Sequence, residues 1–144
     1  MRLALAQAQE AAAMGEVPVG ALVVEYATGT ILAAAHNRTE IDCDPSAHAE
    51  IVALRLAALQ KNTPRLPTCD LYVTLEPCAM CAQAISHTRI RNLYFGAYDC
   101  KGGAVEHGPQ LFRQKTCHHA PVAYGGILER ETSGLLKNFF KNKR

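Results

Sequence analysis

The chain has 144 residues, 49% of them apolar and 19% charged, which is ordinary globular usage and excludes a globally disordered chain. That length predicts one domain over residues 1–144, with a core large enough to need no disulfide staples. The net charge is +2, yet Lys137, Lys141, Lys143 and Arg144 form a basic end without acids, which leaves the rest of the chain at −2.

No apolar run approaches the ~20 residues of a membrane span, and the opening segment is broken by Gln7, Gln9 and Glu10. The expectation is therefore a cytoplasmic protein with no membrane contact and six reduced cysteines. Thiolate chemistry or metal binding is the better use for them. Leu3 to Met14 is rich in Ala and Gln and stops at Gly15, which predicts a helix with a glycine stop. Val19–Tyr26 and Ile31–Ala35 flank Ala27-Thr28-Gly29-Thr30 and read as a β-hairpin. Ser46–Gln60 has helical spacing of Ile51, Leu54, Ala58 and Leu59, with Asp44 or Ser46 as its cap. Leu71–Leu75 is a strand, Cys78–Ser86 a short helix and Arg91–Ala97 a strand. Asp99–Gly108 is a Gly-rich loop, Val122–Tyr124 an edge strand, and Leu128–Lys143 a helix with Leu128, Leu135, Leu136, Phe139 and Phe140 as its apolar set. The sum is an α/β fold: one central mixed sheet of about five strands with helices on both faces, a three-layer α/β/α arrangement.

Two short segments carry chemistry. Ala47-His48-Ala49-Glu50 opens one predicted helix, and Glu76-Pro77-Cys78-Ala79-Met80-Cys81 opens another. Together they spell H-x-E…P-C-x-x-C, the signature of zinc-dependent deaminases. Two thiolates and one imidazole suit tetrahedral Zn²⁺. Helix N-termini favour thiolate over thiol at Cys78 and Cys81. Three ligands (His48, Cys78 and Cys81) leave a fourth position for water, whose pKa zinc lowers toward neutrality. Glu50 lies two residues from His48, poorly placed as a ligand and well placed as the general base and acid beside that water. Two alternatives remain open at this point. One is a structural zinc site completed by Cys43, Cys69, Cys100, Cys117, His118 or His119. The other is a Cys78–Cys81 redox pair.

Larger segments carry a resemblance. Gly15-Glu16-Val17-Pro18-Val19-Gly20-Ala21, Asn37-Arg38, Ala47–Ile51, Leu71–Cys81, and Phe95-Gly96-Ala97 with Asp99 and Lys101-Gly102 together resemble the bacterial tRNA-specific adenosine deaminases. These belong to the cytidine-deaminase-like superfamily, and the similarity runs from about Ala4 to Phe140. Tyr98 stands where some members carry Arg. The resemblance implies a cytidine-deaminase-like fold and hydrolysis of adenosine to inosine at the wobble position of a tRNA anticodon loop, in tRNA for arginine with an ACG anticodon. It implies a homodimer with one Zn²⁺ per subunit, Glu50 as proton shuttle, and Asn37, Asp99 and Lys101 as substrate contacts. It also sets Phe139, Phe140 and the basic end near the anticodon stem-loop. The competing expectations are a deaminase of a free nucleobase or nucleoside (cytosine, cytidine or guanine) and a zinc-stabilised RNA-binding module.

Overall fold

A computed structural model describes residues 1–143; Arg144, the last of the basic end, lies outside the described residues. In chain order the elements are α1 (Arg2–Ala13), β1 (Gly20–Glu25), β2 (Ile31–His36), α2 (Ala49–Lys61), β3 (Cys69–Leu75), α3 (Ala79–Thr88), β4 (Asn92–Ala97), β5 (Val122–Tyr124) and α4 (Glu129–Asn142). A 3-10 turn at Leu111–Arg113 interrupts the long connection after β4. Among the described residues no helix is long and apolar enough to cross a membrane.

The sheet order is β2-β1-β3-β4-β5. β1 runs antiparallel to both β2 and β3, whereas β3, β4 and β5 are parallel. Period-two alternation sorts the side chains onto two faces. Ala21, Val23, Ala33, Ala35, Leu71, Val73, Leu93 and Phe95 form one core with Ala49, Ala53, Leu54 and Ala57 of α2 and Ile85 of α3. The other face meets α1 and α4. There Tyr72 pairs with Tyr94 and Tyr94 with Tyr124, their rings stacked with centroids 4.7 and 5.1 Å apart. Such cross-strand pairs help to fix the register. The fold is thus the α/β/α arrangement of a five-stranded mixed sheet with helices on both faces.

Two glycines set how closely the second helix layer sits. α1 buries Ala4, Ala8 and Ala11, three or four residues apart, and this small-residue stripe lies on Gly20. A Cβ at Gly20 would fall on the Ala4 carbonyl and within 2.6 Å of the Ala8 amide. Both are backbone atoms and cannot rotate away. Gly20→Ala should therefore lower the free energy of unfolding by about 3 kcal/mol, the upper range for overpacking. A urea midpoint equal to the wild type's would contradict this close approach. At Gly96 a Cβ would meet the Thr74 carbonyl at 2.6 Å and Thr132 Cγ2 at 2.7 Å.

Two expectations need correction. The second helix starts at Ala49, not Ser46, with His48 at its cap position and no side-chain cap. Asp44 instead accepts from the Ser46 amide and hydroxyl at 2.8 and 2.7 Å, so the cap-like residues close a turn before the helix. The apolar set of α4 is not a buried stripe. Thr132 is its one buried residue, and Phe140 is 48% exposed. α4 rests mainly on β4, toward one edge of the sheet, so its large side chains are only partly covered. The basic end is partly used within the chain: Lys143 Nζ donates to the Gly15 carbonyl at 3.1 Å and lies 4.5 Å from the Phe139 ring centre.

Candidate metal centre and active site

His48 caps α2, Cys78 caps α3, and Cys81 lies in the first turn of α3. Two helix N-termini therefore converge on one point, and their partial positive charge favours anionic ligands there. His48 Nδ1 stands 3.6 Å from Cys78 Sγ and 3.5 Å from Cys81 Sγ. A tetrahedral ion with a Zn–S bond of about 2.3 Å and a Zn–N bond of about 2.05 Å requires an S···N separation of about 3.6 Å. Both S···N separations thus match the spacing zinc imposes, and all three donor atoms lie within 4.8 Å of one another. They form the one cluster of metal-binding type among the described residues. None of Cys43, Cys69, Cys100, Cys117, His118 or His119 joins it. Cys69 faces Glu25 and Cys117 faces Ser86. A structural site closed by one of them is thereby removed.

Electrostatics agree with the donor set. The Cys78 thiol is pulled down to about 4, chiefly by a hydrogen bond from Cys81 and then by one from His48. Cys81 is pushed well up, as the donor of that bond and as a buried thiol. His48 is raised by its bond to Cys78. Without metal the three share protons, and a divalent ion would displace them.

Glu50 is 4% exposed, and burial raises its carboxyl to about 7. It lies in the first turn of α2, two residues past His48. A carboxyl titrating near neutrality is suited to take and return a proton. Glu50 lines a cavity of about 330 Å³ with His48, Cys78, Asn37, Thr39 and Asp99. Of the residues singled out by sequence, the fold brings His48, Glu50, Cys78, Asn37 and Asp99 together there, with Cys81 buried behind Cys78. Lys101 is exposed and stands outside that lining. Phe139 lines a separate groove with Ala12 and Gly15 of the α1 end.

Two further carboxylates shape the walls, and sequence reasoning assigned neither a role. Glu76 is 2% exposed. It accepts from the backbone amides of Asp99, Val105, Glu106 and His107, and pairs with His107 Nδ1 at 2.8 Å. Burial pushes its carboxyl up, but these donors win and hold it below its usual value. Glu76 thus ties the loop after β4 to the start of α3. Within that loop Asp99 Oδ1 accepts from the Lys101 and Gly102 amides at 3.0 and 2.9 Å. Glu16 accepts from Asn37, another residue of the cavity lining. Both acids sit inside the resembling segments, the one signal that could have flagged them.

Comparisons with known proteins agree with this site. The zinc-binding region of cytidine and deoxycytidylate deaminases matches residues 1–97. The tRNA-specific adenosine deaminase of Agrobacterium fabrum is 52% identical over 144 residues, covering 100% of this chain and 93% of the relative. That of Bacillus subtilis is 40% identical over the same 144 residues, covering 88% of the relative. A structure from a study of A-to-I editing by tRNA:A34 deaminases at the wobble position of transfer RNA superposes with a TM-score of 0.92 at 52% identity, over 94% of this chain and 97% of that one. Guanine deaminase from Nitrosomonas europaea superposes at 0.77 and 25% identity, over 94% and 80%. The cluster of metal-binding type, the buried glutamate beside it and these full-length relationships lead to one statement: the chain belongs to the zinc-dependent cytidine and deoxycytidylate deaminase family and, within it, to the tRNA-specific adenosine deaminases.

Proposed function

We propose that this protein deaminates adenosine to inosine by hydrolysis at the wobble position of a tRNA anticodon loop, with an ACG-anticodon arginine tRNA as substrate. The observation that carries the reading is the cavity in which Glu50 stands beside three donors at zinc spacing. His48, Cys78 and Cys81 would hold one zinc per subunit, which would supply the Lewis acidity that lowers a water's pKa to about 7. Glu50 takes one proton from the water and delivers it to N1 of the purine ring, then takes the second from the hydroxyl on C6 and gives it to the departing amine. The C6–N6 bond breaks, the water oxygen ends on C6, and ammonia leaves. Asn37 and Asp99, which both line the cavity, hold the extruded nucleoside, and the exposed Lys101 meets the backbone phosphates. A loop base is already unpaired, so extracting it costs less than flipping one from a duplex.

The same reading makes the protein one cytoplasmic domain that acts as a homodimer. Leu56 and Leu59 are exposed on α2, Leu59 at 78%, and an apolar groove runs between α2 and α3 past Leu54, Ala58 and Ala84. Exposed apolar surface of this kind fits a second protein surface.

The test offers purified protein an ACG anticodon stem-loop, free adenosine, cytosine, cytidine and guanine, and follows ammonia. Release from the stem-loop alone is the expected result. Rapid turnover of a free base with none on the RNA would contradict the assignment and favour the guanine-deaminase-like alternative.

A further inference from the structure

Glu16 is fully buried, 0% exposed, although it lies between a helix and a strand where a charged side chain would ordinarily find water. Its burial follows from the local chain path. α1 ends at Ala13, Gly15 turns the backbone with φ +81°, and the Glu16 amide returns to the Ala11 carbonyl at 3.0 Å. The side chain is thereby directed under the segment that leaves β2. Four donors converge on it. Oε1 accepts from the Glu40 and Ile41 amides, both at 2.8 Å. Oε2 accepts from Asn37 Nδ2 at 3.2 Å and from the Thr39 hydroxyl at 3.3 Å.

This arrangement constrains Asn37. A carboxylate only accepts, so the side of the Asn37 amide that faces it must be Nδ2. Thr39 gives its one hydroxyl proton to Glu16, so its oxygen accepts the second Nδ2 proton at 3.3 Å. Glu16 Oε2 and Thr39 Oγ1 thus both lie on the Nδ2 side of the amide. No protein donor reaches Asn37 Oδ1, and among the described residues no buried side-chain polar atom lacks a partner. Oδ1 is therefore open to solvent, and the open space beside Asn37 is the cavity it lines.

We propose that Glu16 is a positioning residue that fixes the Asn37 amide with its carbonyl oxygen toward the cavity, so that the site selects a substrate carrying a hydrogen-bond donor at that point. The inference rests on the reading above that Asn37 contacts substrate. Turning the amide over would set Oδ1 against a carboxylate and strand Nδ2, so the orientation is held by the chemistry of Glu16 rather than by shape alone.

Glu16→Gln changes that chemistry while keeping the volume. The two backbone amides still need an oxygen, so the new Nε2 would face Asn37. Asn37 would turn over to accept from it and present a donor to the cavity. KM for the stem-loop should rise about tenfold, with kcat changed less and zinc content unchanged. Asn37→Asp alone sets two carboxylates face to face and should also raise KM. The double variant E16Q/N37D restores a donor at position 16 and an acceptor toward the cavity, and its KM should fall back to within about threefold of the wild type. A merely structural role for Glu16 predicts no such rescue. KM for E16Q within twofold of the wild type, or a double variant worse than either single one, would overturn the proposal. A second measurement needs no variant. The Asn37 side-chain NH₂ of the wild-type protein should exchange slowly with solvent by NMR, and free exchange of both protons would also overturn it. Because that readout is independent of turnover, a wild type inactive on the stem-loop would sink the proposed function and leave this inference separately decided.

Discussion

Glu50→Gln should abolish deamination and at the same time stabilise the metal-free protein. On the proposed mechanism Glu50 handles the proton in both halves of the reaction, so its loss should cost at least about 10³-fold in kcat, within the range for general acid–base catalysis. Zinc content should be unchanged, because Glu50 is not among the ligands. The stability effect follows from burial. Below pH 4.5 the carboxyl is protonated in both the folded and the unfolded chain, so Glu and Gln are equivalent. As pH rises from 4.5 toward 7, the unfolded chain releases its proton while the folded chain, with its carboxyl at about 7, retains it. The wild type therefore loses stability over that window that the glutamine variant keeps. The gap should reach about 3 kcal/mol above pH 7 and close below pH 4.5. Urea unfolding of both metal-free proteins at several pH values measures it directly. Parallel pH profiles would contradict the buried, ionisable Glu50, and activity surviving in the variant would remove it as the proton shuttle.

Cys81→Ser should have an effect of similar size on turnover through a different route. Cys81 is fully buried and 3.5 Å from His48 Nδ1. A serine hydroxyl is a poor zinc ligand, so bound zinc should fall from one per chain to less than about a tenth, and turnover should fall at least about 10³-fold. Chelation of the wild type should lower its melting temperature, because the ion binds only the folded arrangement. The exposed thiols offer the control: Cys43→Ser and Cys100→Ser should retain full zinc and full activity. Elemental analysis with X-ray absorption checks the result, with two protein sulfurs and one nitrogen expected. Three sulfurs would mean that one of the remaining cysteines joins the metal after all.

The candidate metal centre was legible in the sequence because metal chemistry restricts residue type and spacing. His48, Glu50, Cys78 and Cys81 could be found without coordinates, and so could the elements that carry them. The start of α2 was less legible. Asp44 and Ser46 have the composition of a helix cap, yet they bond each other, and the helix begins only after His48. α4 misled for another reason. Its apolar spacing is helical, but spacing does not reveal how much sheet lies beneath it, and α4 reaches little beyond β4. Glu16 and Glu76 were the least legible. A lone Glu reads as surface charge, and most of the donors that hold these two are backbone amides 23 to 31 residues away, which sequence pattern does not encode. Both lie next to the site, where a buried charge compensated by distant amides can shape a cavity wall.

The central claim is hydrolysis of one adenosine in an anticodon loop by the Glu50 centre. Its most direct measurement is mass analysis of an ACG stem-loop incubated with the protein in ¹⁸O-labelled water. The account predicts one inosine, at the first anticodon position, carrying one ¹⁸O, with one ammonia released for each inosine formed. An unchanged stem-loop from a zinc-loaded protein that turns over free guanine or cytosine would contradict it.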